Sequence, residues 1–123
     1  MFKFYSGSTK TYFVSKTKKL KWDAAKSNCE SLGMNLATFD YSQGVSFYGA
    51  VKKNTWIGVR DMYQNGQFLQ VTDNTDVRHI LPWRRNQPSG REFCVHSWAG
   101  NGFNDINCNH AYHFACEITD SNK

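Results

Sequence analysis

The sequence predicts an α+β fold in which two helices flank small antiparallel sheets, interrupted by a long irregular loop and stapled by disulfides. Three observations carry this. The spacing of apolar residues switches between strand-like alternation and helical recurrence along the chain. Four cysteines, Cys29, Cys94, Cys108 and Cys116, form an even set with no Cys-x-x-Cys pair. Residues 72–91 lose all periodicity while Asp, Asn, Arg and both prolines gather there, and a loop of about twenty residues in a compact domain is usually functional.

Residues 11–15, Thr-Tyr-Phe-Val-Ser, are β-branched and aromatic enough for a strand. From Trp22 the period changes: Trp22, Ala25, Cys29 and Leu32 recur at helical spacing, and Gly33 is placed to end the helix in a left-handed cap. Cys29 therefore lies on that helix's buried face. A second helix is expected over residues 42–53, with Ser42 as N-cap and Val45, Tyr48 and Val51 as its apolar stripe. Residues 55–59 read as a buried strand and 66–71 as an alternating one. Two more strands, 92–98 and 113–118, each containing a cysteine, close the chain.

With 123 residues, 40% hydrophobic and 15% aromatic, the chain can bury one modest core, so one domain is expected over 1–123 with its core at about 11–118. A mean hydropathy of −0.63 and the lack of any apolar run near twenty residues exclude a spanning helix. Met1-Phe2-Lys3-Phe4-Tyr5 is no signal peptide, and a secreted protein with this start would already have lost its leader. The cysteine spacing fails both thioredoxin-like redox chemistry and a zinc ribbon, and two disulfides imply an oxidising compartment. Part of the formal charge of +5 comes from Lys16, Lys18, Lys19, Lys21 and Lys26, read as a solvated basic face. Arg84 and Arg85 follow Trp83 beside the loop and are candidate contacts for an acidic ligand such as a sulfated glycan. No Gly-x-Ser-x-Gly, Walker or His-Glu-x-x-His motif is present, so an enzyme is not expected. Basic stretches lack interleaved aromatics, which argues against nucleic acid. His110 and His113 fall in a turn-and-strand region where three-apart spacing does not form a metal pair. Trp83, Trp98 and Phe103 could stack on a sugar, but the core is the expectation for Trp98 and Phe103.

Trp56-Ile57-Gly58-Val59 resembles the Trp-Ile-Gly-Leu core strand of C-type lectin-like domains. Gln87-Pro88-Ser89 resembles their Glu-Pro-Asn or Gln-Pro-Asp loop, and Phe103-Asn104-Asp105 their Trp-Asn-Asp strand. The match runs from Tyr12 to Glu117, and secreted single-domain lectins, those of insects among them, look broadly similar. The resemblance implies the C-type lectin-like fold with nested bridges, Cys29 to Cys116 and Cys94 to Cys108. It also implies a secreted protein that holds sugar through Ca2+, with Gln87, Ser89, Glu92, Asn104 and Asp105 serving as both metal ligands and sugar contacts.

The oxygens fit that role: a calcium shell takes six to eight oxygen ligands from flexible loops, and this set supplies amide carbonyls, a hydroxyl and two carboxylates. A cis bond before Pro88 would turn its flanking side chains to one side. Ser89 stands where a third acidic or amide ligand is usual, so weak affinity, on the order of 0.1 to 1 mM, is expected. Glu92 follows a shortened segment and neighbours Arg91, a potential competing ion partner. At the auxiliary site Asp61 is present, but Asn65, Gly90 and Phe93 are not acidic, so one calcium at most is expected. Gln87 retains half of the galactose-type pattern. The alternative is a calcium-independent interaction domain that recognises a protein or an anionic glycan through the long loop.

Overall fold

The structure, a computed structural model, describes residues 2–6, 10–39 and 44–119. Strands β1 (Phe2–Ser6) and β2 (Lys10–Ser15) form an antiparallel pair, followed by helix α1 (Trp22–Ser31) and the short strand β3 (Asn35–Leu36). Helix α2 (Gly44–Ala50) leads into β4 (Thr55–Arg60) and β5 (Leu69–Gln70). After the long loop come β6 (Cys94–Ser97), β7 (Phe103–Ile106) and β8 (His113–Thr119).

The main sheet path is β1-β2-β8-β4-β6-β7, with β3 on β8 and β5 on β4. One pairing departs from the expected antiparallel pattern. β6 runs along one edge of β4, so the returning β8 takes the other edge and runs parallel to it, with Thr55 opposite His113 and Trp56 opposite Phe114, while β5 takes the far end of that same edge at Val59 and Arg60.

β4 is buried continuously from Thr55 to Val59 because both of its faces are covered, which suits the apolar run Trp-Ile-Gly-Val. Ile57 and Val59 enter a cluster with Tyr12, Phe39, Phe68 and Phe103. Trp56 faces the other way, into a cluster with Trp22, Cys29, Leu36 and Phe114. The two indoles bury their polar atoms with partners, Trp22 Nε1 donating to Ile57 O and Trp56 Nε1 to Leu20 O, each at 2.8 Å. Between the clusters β4 passes so close to its neighbours that a Cβ at Gly58 would sit 2.5 Å from Leu36 O and 2.8 Å from Val71 Cγ2. Gly58→Ala is therefore expected to destabilise the fold by about 2 kcal/mol, read as a lower urea midpoint. An unchanged midpoint would show that β3 and β4 can separate without penalty.

The bridges are Cys29–Cys116 and Cys94–Cys108, with Cα–Cα distances of 5.5 and 5.2 Å. They span sequence separations of 87 and 14, so chain entropy assigns them roughly 4.5 and 3 kcal/mol. Together these rival the whole margin of about 5 to 15 kcal/mol typical of a domain.

Several boundaries differ from expectation. α2 stops at Ala50, short of Lys53, because Val51 turns inward to become buried and closes a tight turn onto Tyr48 O. Ser42 lies outside the described residues. The 66–71 strand shrinks to Leu69–Gln70: Gly66 takes φ +85°, and Phe68 and Gln70 bond to the 75–77 segment. The 92–98 strand begins only at Cys94. β1, β3 and β7 lie outside the periodicity reading altogether, β7 being foreshadowed only by the family's Trp-Asn-Asp strand.

Candidate functional site

The long loop is irregular but well anchored. Val77 and Leu81 are buried beneath it, and Trp83 packs edge-on against Phe68 while its Nε1 donates to Arg78 O. Phe103 N donates to Pro82 O and Arg84 N to Phe103 O, so the loop's second half is stitched to the start of β7. That seam carries residues 87–90 to the strand bearing Asn104 and Asp105.

There the loop closes on a single carboxylate. The Gln87–Pro88 bond is cis. Asp105 Oδ1 accepts from Ser89 N at 2.8 Å, and Oδ2 accepts from Ser89 Oγ at 2.8 Å and Gly90 N at 3.1 Å. Asp105 is only 1% exposed, and three donors offset the cost of burying its charge. Gly90 has φ +77°, a conformation glycine adopts freely, and this lets its amide turn toward Asp105.

Asn104 stands across the β6–β7 ladder from His96, and its Nδ2 meets His96 Nε2 at 3.1 Å. The imidazole thus accepts through Nε2, and Asn104 Oδ1 is left for another partner. His96 is 1% exposed, and burial above all holds its pKa down to about 4, with the charges of His110 and Arg84 acting in the same direction. Gln87 Oε1 is sealed from solvent and has no hydrogen-bond partner.

Of the residues singled out from sequence, the fold therefore joins Ser89 to Asp105, sets Asn104 next to them on β7, and leaves Gln87 with an unspent carbonyl. Glu92 makes no hydrogen bond to these four. Its Oε2 accepts from Asn107 N at 2.9 Å, and its side chain lines a cleft with Asp23, Arg60 and Arg91. Among the described residues no ion pair joins Arg91 to Glu92.

Asp61, at the expected auxiliary position, uses both oxygens to hold the Asn65 and Gly66 amides of a turn. Arg84 lies 4.1 Å over the ring of Trp98, whereas Arg85 is exposed. Phe103 is core as expected, but Trp98 is not: it is 40% exposed, because it lies just past the end of β6 at the hairpin, where Arg84 covers its ring and the buried His96 meets it. His110 stacks on Tyr112, and His113 Nδ1 instead meets Ser15 O. His96 and Gly90 were missed from sequence. Gly90 carried a usable signal, since Pro-Ser-Gly is turn chemistry; His96 needed the ladder register.

A buried Trp-Ile-Gly strand, nested bridges and a loop fastened to an Asn-Asp strand define the C-type lectin-like class of fold. The chain matches the lectin C-type domain over residues 18–118 and belongs to that family, whose members bind carbohydrate and commonly bind Ca2+. It is 30% identical over 105 residues to the hepatic lectin of Gallus gallus, covering 80% of this chain and 50% of that protein. It thus spans about half the length of that relative.

A C-type lectin galactose-binding isoform from Hoplocephalus stephensii is 32% identical, covering 86% of this chain and 75% of that one. A mannose-binding isoform from Notechis scutatus scutatus is 30% identical, with 71% and 58% covered. The carbohydrate-recognition domain of the mouse scavenger receptor C-type lectin superposes with TM-score 0.85 at 22% identity, covering 96% of this chain and 94% of the other. No helix among the described residues is long and apolar enough to cross a membrane.

Proposed function

We propose that this chain is a secreted lectin that holds Ca2+ with Gln87, Ser89, Glu92, Asn104 and Asp105 and binds sugar at that site. The observation that carries the reading is the unpartnered, buried Gln87 Oε1 on the loop fastened to Asp105. A buried carbonyl without a donor is costly, and a hard cation relieves it. The donor set, all oxygen with two carboxylates, fits calcium and suits softer metals poorly.

Bound calcium would supply positive charge that coordinates two sugar hydroxyls. The chain's own part is to present oxygens. Asp105 would hold the ion with its carboxylate, Asn104 with the Oδ1 left available because His96 meets its Nδ2, and Glu92 with the oxygen that Asn107 does not use.

A galactose-type preference rests on Gln87, an amide that both donates and accepts. Ser89 weakens the discrimination, since its hydroxyl also does either. The similarity to both a galactose-binding and a mannose-binding isoform leaves that choice to the loop's own chemistry.

The test is thermal unfolding with and without calcium, followed by galactose and mannose titrations. At about ten times Kd, calcium should stabilise the wild type by roughly 1.4 kcal/mol. It should do nothing for Asp105→Asn, which keeps the shape but loses the charge. The closed Asp105–Ser89 contact favours a second reading, a loop complete without metal. A wild type indifferent to calcium and to both sugars would establish that reading as a calcium-independent interaction domain.

A further inference from the structure

Lys19, Lys52, Lys53, Asn54, Tyr112 and His113 line an open cleft of about 380 Å³ whose walls carry no Asp or Glu. Lys19 comes from the segment between β2 and α1, Lys52 and Lys53 from the link between α2 and β4, and His113 from the start of β8. The fold thus gathers cations that the sequence scatters, and Lys16 and Lys18 lie exposed on the same link as Lys19.

The lysines are steadied by neutral groups. Lys52 Nζ donates to Gly49 O at 2.8 Å, and Lys53 Nζ to Lys16 O at 3.3 Å and Ser15 O at 3.5 Å. Carbonyl oxygens position an ammonium without cancelling its charge. Carboxylates that could cancel it are engaged elsewhere: Asp23 with Arg60, Glu30 with Lys26, Glu117 with Lys10, and Asp61 and Asp105 with turn amides.

The ring of His113 registers the resulting field. Burial lowers its pKa first, and the charges of Lys53 and Lys19 lower it further. Its Nδ1 faces Ser15 O at 3.0 Å, which puts the proton there and leaves Nε2 as an acceptor. Asn54 also lines the cleft with its amide, the Oδ1 of which is buried.

Ammonium groups beside an imidazole acceptor and a bordering amide match a ligand that carries both anionic groups and hydroxyls. We propose that this cleft binds a sulfated saccharide unit, with Lys19, Lys52 and Lys53 meeting its sulfates and Asn54 and His113 its hydroxyls. The cleft shares no lining residue with the five calcium-site positions, so the inference stands whether or not the calcium reading does.

The experiment is calorimetric titration of the full chain with a heparin-derived tetrasaccharide in EDTA, which silences any calcium-dependent binding. Binding should persist in EDTA and weaken as salt rises. It should fall by about tenfold or more when Lys19, Lys52 and Lys53 are all changed to Gln. Changing Lys3, Lys21 and Lys26 to Gln removes the same charge from other surfaces and should leave affinity within about twofold.

Amide shifts of the labelled wild type should move at Ala99 and Ala111, which border the cleft, so the assignment does not depend on the variants folding. The proposal is overturned by equal losses in the two triple variants. It also fails if the desulfated tetrasaccharide or a single-stranded oligonucleotide of equal charge binds as tightly, or if the shifts map to Arg84 and Arg85 instead.

Discussion

Glu117→Leu is expected to destabilise the fold by about 3 to 5 kcal/mol, the cost of removing one partner from a buried charged network. Glu117 sits on β8 at 3% exposure. Its Oε1 accepts from Thr38 N at 2.6 Å and Thr38 Oγ1 at 2.8 Å, and its carboxylate pairs with Lys10 Nζ at 3.4 Å. Leucine would take the acceptor from the buried Thr38 amide and the carboxylate from Lys10. Glu117→Gln retains an oxygen for Thr38 N but loses the charge, and should cost about 1 to 3 kcal/mol. Urea unfolding of the three proteins checks the order. A leucine variant within about 1 kcal/mol of wild type would show that the network is solvated in practice.

Acid should unfold the metal-free protein through His96. Its imidazole is neutral in the fold, with a pKa of about 4, and titrates near 6.5 once unfolded. Between those values the unfolded chain binds more protons, so stability is complete above about pH 6.5 and is lost as pH falls toward about 4. The full contribution is on the order of 3 kcal/mol. His96→Gln, which keeps a polar partner for Asn104, should be less stable at neutral pH and flatter across that window. Measured in EDTA so that no ion intervenes, a variant that loses stability as steeply as wild type between pH 6.5 and 4 would assign the acid response to other groups.

Much of the scaffold could be read before any coordinates. Trp22, Ala25 and Cys29 at helical spacing placed α1 and its cysteine on the buried face, and Gly33, at φ +75°, ends the helix as its position implied. The continuous apolar run at Trp56 identified a strand buried on both sides. The disulfide pairing did not follow from spacing; it came with the family resemblance, and the Cα–Cα distances bear it out. β3 and β5, of two residues each, were invisible to periodicity because two residues have no period. The parallel pairing of β4 with β8 depends on which edges remain free, a property of the whole sheet.

The candidate site divides along the same line. The family resemblance singled out Gln87, Ser89, Glu92, Asn104 and Asp105, and what the sequence by itself determined is that their side-chain oxygens are of the kind a hard cation takes. Only the tertiary structure decided how they are used. It turned the Ser89 hydroxyl and the Gly90 amide onto Asp105, gave Asn104 its partner in His96 across a strand ladder, and engaged Glu92 with Asn107. It also brought Lys52 and Lys53 to Lys19, whose run alone read as a solvated face. The physical reason is range. Donor type and helical or strand period are local and can be read residue by residue, whereas hydrogen-bond partners and uncompensated charge depend on which distant segments the packed core presses together.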